Sequence, residues 1–217
     1  TPLATHHKKN IKSKISHYDL IKKLELKNDD FRNLKKYTKS LGMKFISTPY
    51  DIDSLKFLIK LKCDFIKIAS SELVNLPLLD IARKSNIPII LSTGMSTLEE
   101  IKQSINFILQ KNKKLTVMKC TSNYPASYKT LNLKSLKILK NEFRDLNLGF
   151  SDHSVGSIAA ITSLQYDVKI IEKHFTLNKN DLGPDHRASM EPKEFKTFIS
   201  DIKNSILANG KEQWIVN

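Results

Sequence analysis

The chain has 217 residues, 40% of them hydrophobic, a composition that buries one sizeable core. Its 36 Lys+Arg against 22 Asp+Glu give a formal charge of +14, which draws anionic partners over a long range. The excess is dispersed, as at Lys35, Lys36, Lys111, Lys113 and Lys114, without interleaved aromatics, and so reads as solvated helix faces and loops rather than a nucleic-acid surface. No long uninterrupted apolar segment or secretory leader is apparent, and Cys63 and Cys120 lack metal-type spacing; the expectation is a cytoplasmic protein with reduced thiols and no membrane partner.

Taken in order, Thr1 to Ile15 is a basic lead-in whose His6-His7 pair reads as solvated. Leu20, Ile21, Leu24 and Leu26 predict a short helix from Tyr18. Asn28-Asp29-Asp30 offers a cap for a second, along which Phe31, Leu34, Tyr37 and Leu41 recur at helical spacing until Gly42 ends it. Residues 1–43 thus form a helical lead-in to a domain over 44–209, with a tail at 210–217.

From Lys44 the pattern changes. Short apolar runs at Lys44–Ser47, Phe65–Ala69, Pro88–Leu91, Leu115–Met118, Leu146–Phe150 and Val168–Ile171 alternate with helical patterns. Among these are Ser54, Leu55, Phe57, Leu58 and Leu61, the stretch behind the capping sequence Ser96-Thr97-Leu98-Glu99, and the amphipathic Gly156–Gln165. Repeated strand and helix units of this kind build a parallel sheet, either an open doubly wound one or a closed barrel. Each run ends in groups able to hold an anion or do chemistry: Ser47-Thr48, Lys67 with Ser70 and Glu72, Ser92-Thr93-Gly94, Thr121-Ser122-Asn123-Tyr124, Ser151-Asp152-His153 and Glu172-Lys173-His174. Polar groups after every strand, with no Gly-rich nucleotide fingerprint, favour an α/β fold of TIM-barrel type with about six of eight strands present.

For any single Ser or Thr, helix capping is the competing reading, with Ser96 as the example. Lys67, inside an apolar run, needs a partner against desolvation, and an acidic or phosphorylated ligand supplies one. His153 and His174 stand at equivalent ends of two strands. Either alone could cap its strand; together, with carboxylates nearby, they suit a borderline divalent metal.

The phrases ISTPYD, FIKIASSEL with NLPLL, ILSTGM with TLEEI, CTSNYP, GFSDHS, IEKHFTL and GPDHRASMEP resemble, in order, the sialic acid synthase family, over roughly Leu20 to Asp201. The resemblance implies an eight-stranded barrel followed by a small antifreeze-like domain, to which the residues after Asn209 bear no likeness. It also implies condensation of phosphoenolpyruvate with an N-acetylmannosamine-type sugar to a nonulosonate, with release of phosphate, in a homodimer. Carried over by position, it makes His153 and His174 the ligands of a manganese or magnesium ion. Lys67, Thr48, Ser70, Ser92 and Ser151 become the holders of phosphoenolpyruvate, and Glu72, Ser122, Tyr124 and Asp185 the sugar contacts, with Glu72 and Lys67 as the catalytic pair. The family's first two strands, with a glutamate, an Asn-His motif and a further lysine, have no counterpart before Lys44, so the expectation is a truncated synthase with little turnover of its own. A Schiff-base aldolase using Lys67 and a non-catalytic phosphate- or sugar-binding remnant remain as alternatives.

Counting strands gives a structural expectation. The first and last should be edges facing a gap, and Phe45, Ile66, Ile90, Met118 and Phe150, or their alternate-face neighbours, should be less buried than in a closed barrel, leaving a seam prone to association.

Overall fold

The structure is a computed structural model that describes residues 16–183 and 185–210; the basic lead-in at 1–15 with its His6-His7 pair, and the tail at 211–217, lie outside the described residues. Two helices come first, α1 (His17–Leu24) and α2 (Asn28–Ser40). The N–H of Lys27 is held at 2.9 Å by the Asp30 carboxylate, so within Asn28-Asp29-Asp30 it is Asp30 that closes the start of α2. Helix α2 lies against the next helix, with the Phe31 and Phe57 rings edge to face and the Lys35 ammonium on the carbonyls of Leu61 and Lys62.

The alternating units follow: β1 (Ile46–Ser47), α3 (Ile52–Leu61), β2 (Phe65–Ile68), α4 (Leu76–Lys84), β3 (Ile89–Ser92), α5 (Leu98–Leu109), β4 (Leu115–Cys120), α6 (Tyr128–Leu131), α7 (Ser135–Glu142), β5 (Asn147–Asp152), α8 (Ile158–Ser163), β6 (Val168–Lys173) and α9 (Pro192–Asn209). All six strands are parallel and pair in sequence order. Strands β3 to β6 end one or two residues beyond the apolar runs that announce them. Ser92, Ser151, Asp152, Glu172 and Lys173 are therefore ladder residues and not loop. The cap of α5 also moves by one: Thr97, not Ser96, bonds Glu100, because that spacing lets hydroxyl and carboxylate satisfy each other's backbone N–H.

Sheet curvature can be read from one ion pair. In a flat sheet β2 and β6 lie four strand spacings apart, about 19 Å, beyond the combined reach of two side chains. Yet Lys67 on β2 meets Glu172 on β6 at 3.1 Å. The sheet is curled like part of a barrel wall, and the face carrying Lys67 and Glu172 is its inside. Strands β1 and β6 are its two edges, each with one neighbour among the described residues, as the strand count required.

The burial expectation needs correction. Ile66 and Phe150 are fully buried, because alternation puts them on the convex face under the helices, with Leu55, Leu79, Ile105 and Leu136 in one continuous core. Ile90 (3% exposed) and Met118 (0%) do face inward, but the curl closes neighbours over them. Exposure rises at the two edges: at β1 Phe45 is half-buried and Ile46 is 43% exposed, and at β6 Ile170 and Ile171 are half-buried.

Gly149 shows how tightly the inner face is packed. It sits in register with Met118 and Ile170, and a Cβ there would stand 2.8 Å from Met118 Cγ and 3.0 Å from the Ile170 carbonyl oxygen. Gly149→Ala is therefore expected to cost roughly 1–3 kcal/mol through overpacking. Urea denaturation checks this, and unchanged stability would show that the inner face is loosely packed.

Candidate active site

Strand register delivers the functional side chains to one rim. Ser151 and Glu172 are Cα partners on β5 and β6, as are Asp152 and Lys173, so His153 and His174 leave the sheet side by side. Their rings stand edge to face with centroids 5.3 Å apart, and the Tyr124 ring stacks on His153 at 4.1 Å and meets His174 at 5.3 Å. His153 Nδ1 lies 2.8 Å from the Thr121 carbonyl, which can only accept, so that nitrogen carries the proton and Nε2 keeps the lone pair. Burial, aided by His174, pushes the His153 pKa down. Asp185 places a carboxylate oxygen 4.0 Å from His174 Nδ1.

Beside the imidazoles lies the charge pair. Lys67 is 8% exposed, and its ammonium lies 3.1 Å from each carboxylate oxygen of Glu172, which also accepts from Ser151 Oγ at 2.7 Å. Burial alone would raise the Glu172 carboxyl, but the Lys67 ammonium and the Ser151 hydroxyl outweigh it and hold the group below the usual carboxylate range. The partner demanded by a lysine inside a strand is thus present within the protein, in Glu172.

The hydroxyls gather on the same side. Ser70 Oγ accepts from the Gly94 N–H at 2.9 Å, and a Cβ on Gly94 would lie 2.3 Å from Ser122 Oγ and 2.9 Å from Ser70 Oγ, so glycine is what lets the two serines close on each other. Ser92 is 2% exposed, on the inner face, with a hydroxyl that has no hydrogen-bond partner among the described residues. Glu72 lies in the short turn after β2, bonded by Asn75 at 2.7 Å and Ser71 at 3.2 Å. Thr48 follows β1, and no bond joins it to the others among the described residues.

Two features escaped the sequence reading. Tyr50, although 64% exposed, is crowded enough that desolvation, and then the charges of the Glu72, Glu172 and Asp185 carboxylates, push its hydroxyl up. Tyr124 is pushed up likewise, by burial first and by Asp185, Tyr50 and Glu172 among other groups. The second is a latch behind the rim. Lys173 and Asp152, 2% and 0% exposed, pair at 2.8 Å; Lys173 also binds the carbonyls of Ser154 (2.5 Å) and Gly156 (3.0 Å), while Asp152 accepts from the backbone and hydroxyl of Ser154. The loop leaving His153 is tied down by this pair.

Comparison with known proteins decides the family. The model of the NeuB family matches residues 2–214. The chain belongs to the NeuB family. It is similar to the N,N'-diacetyllegionaminic acid synthase of Legionella pneumophila, with 37% identity over 97% of this chain and 61% of that protein. It is also similar to the N-acetylneuraminate-9-phosphate synthase of Drosophila melanogaster, with 34% identity over 86% of this chain and 50% of that one. Among solved structures, the sialic acid synthetase of Leptospira borgpetersenii superposes with a TM-score of 0.87 at 28% identity, covering 92% of this chain and 70% of that one. The chain therefore spans about three fifths or less of the curated NeuB relatives it matches, and its wall of six strands corresponds to part of their length.

Proposed function

We propose that this chain carries the larger part of a nonulosonate synthase active site, joining phosphoenolpyruvate to N-acetylmannosamine or a related amino sugar with release of phosphate. The observation that carries the reading is convergence: in a NeuB-family chain, Lys67 from β2 meets Ser151 and Glu172, with His153 and His174 beside them on one concave rim. The buried thiols of Cys63 and Cys120 suit a reducing cytoplasm, and a homodimer, as the resemblance implies, is part of the same proposal.

In this reading Lys67 bonds the phosphate or carboxylate of phosphoenolpyruvate with charge assistance, and Thr48, Ser70, Ser92 and Ser151 complete the seat. The buried hydroxyl of Ser92, facing inward, is a donor suited to an incoming anion. Glu72, Ser122 and Asp185 shape the place of the sugar. Tyr124, and Tyr50 with it, keep their phenol protons at neutral pH and so donate hydrogen bonds to sugar oxygens. The enol carbon forms its bond to the aldehyde carbon while the aldehyde oxygen takes up negative charge and then a proton. Water adds to the resulting cation, and the bond to the phosphate oxygen breaks as phosphate leaves. Fixed groups at both sites of developing charge are what such a rim contributes.

The donor set fits a divalent ion. No cluster of three or more His, Cys, Asp or Glu is preassembled as a cage among the described residues, but two adjacent imidazoles, one with its Nε2 lone pair set by the Thr121 carbonyl on Nδ1, would hold such an ion together with substrate oxygens. A manganese or magnesium ion bound by His153 and His174 would supply Lewis-acid polarisation of the sugar aldehyde. His153→Ala and His174→Ala should each abolish tight manganese binding with the fold retained, because both residues project from strand ends. Titration with manganese alone checks this, and unchanged affinity in both variants rejects the assignment. The Schiff-base alternative is disfavoured because the Lys67 ammonium is engaged by a carboxylate.

A further inference from the structure

We propose that Glu172 is a tethered counter-anion that occupies the phosphate seat between turnovers and sets how readily phosphate leaves it. The inference rests on the reading above, in which Lys67 and Ser151 seat an anion. It starts from a conflict in the hydrogen bonding. Lys67 is 8% exposed and Ser151 2% exposed, and both are already bonded to one carboxylate, at 3.1 Å and 2.7 Å.

Ser151 has a single hydroxyl proton. While Glu172 accepts it, no entering anion can; the alternative acceptor is His153 Nε2, 3.2 Å away, so the hydroxyl gains nothing by abandoning Glu172 unless an anion takes its place. Lys67 and Glu172 also cancel each other's charge, so an anion that docks on Lys67 meets a fixed negative charge a few ångströms away, in surroundings where such repulsion is only partly screened. Glu172 has room to yield: its side chain is 41% exposed while that of Lys67 is 10% exposed, so in an exchange the carboxylate moves and the ammonium stays.

A seat of this design favours release. Phosphate freed from phosphoenolpyruvate must leave the groups that bound it, and a carboxylate built into the next strand re-forms both bonds as it departs. Glu172 is on this account a positioning residue: it acts through Lys67 and Ser151 and takes no part in bond making.

The test is titration of the 217-residue chain with inorganic phosphate and, separately, with phosphoenolpyruvate, in metal-free buffer. Glu172→Gln keeps the shape and an acceptor for Lys67 but removes the charge, and it should bind inorganic phosphate about tenfold more tightly than the unaltered chain. Glu172→Asp keeps the charge but, one methylene shorter, cannot serve Lys67 and Ser151 together; its phosphate affinity should fall between the two, and it stands in if the Gln variant does not fold. A pillar that merely orients Lys67 predicts the reverse order, with both variants weaker than the parent. That order, or equal affinities, overturns the proposal while leaving the seat intact, provided Lys67→Met still weakens binding. Binding of neither anion by the parent or by any Glu172 variant overturns the seat and the proposal together.

Discussion

Lys173→Met is expected to destabilise the protein by about 3–5 kcal/mol, the cost of leaving a buried charge without its partner. Asp152 is fully buried, and Lys173 supplies the only cation bonded to it among the described residues. Removing the ammonium also frees the carbonyls of Ser154 and Gly156, which it holds at 2.5 Å and 3.0 Å. Ordinary domains are stable by about 5–15 kcal/mol in total, so the loss is a large share. Urea denaturation should show a lower midpoint with an unchanged slope. The double variant Asp152→Asn with Lys173→Met should lose less than the sum of the single losses, since the two groups act as one unit. A cost below about 1 kcal/mol for Lys173→Met would mean that water reaches the pair and that the loop after His153 is held by other contacts.

Lys67→Met is expected to weaken phosphoenolpyruvate binding by about 1.5–3 kcal/mol, the range for a hydrogen bond to a charged group. Methionine keeps an apolar stem of similar length on the inner face, beside its register partner Ile90, and deletes the ammonium, so the loss reports charge and not folding. Glu172 complicates the magnitude. Without Lys67 its carboxylate becomes an unpaired negative charge in the seat, which pushes the loss toward the upper end of the range. Pairing Lys67→Met with Glu172→Gln should recover part of it. An unchanged affinity in Lys67→Met would remove Lys67 from the anion seat.

How much of this was legible in the sequence depends on distance along the chain. Buried parallel strands are near-continuous apolar runs, so six of them could be counted, and the open edges followed from the count. Their ends were misplaced because a reading by hydrophobicity stops at the first polar residue, whereas the ladder continues through Ser151, Asp152, Glu172 and Lys173, whose polar side chains are satisfied by one another. His153 and His174 could be aligned because both follow a strand end, a local property. The Lys67–Glu172 pair spans 105 positions and needs the curl of the whole sheet, which no local pattern encodes. Tyr50 was missed for the same reason: the carboxylates of Glu72, Glu172 and Asp185 come from three separate segments. Burial of Ile66 and Phe150 was misjudged because the strand register that assigns faces was not yet in hand.

The central claim is that this concave rim seats phosphoenolpyruvate. Its most direct test is calorimetric titration of phosphoenolpyruvate into the unaltered chain, repeated with inorganic phosphate present. The account predicts saturable binding at one site per chain, weakened competitively by phosphate. Absence of saturable binding, or binding that phosphate leaves untouched, would contradict it.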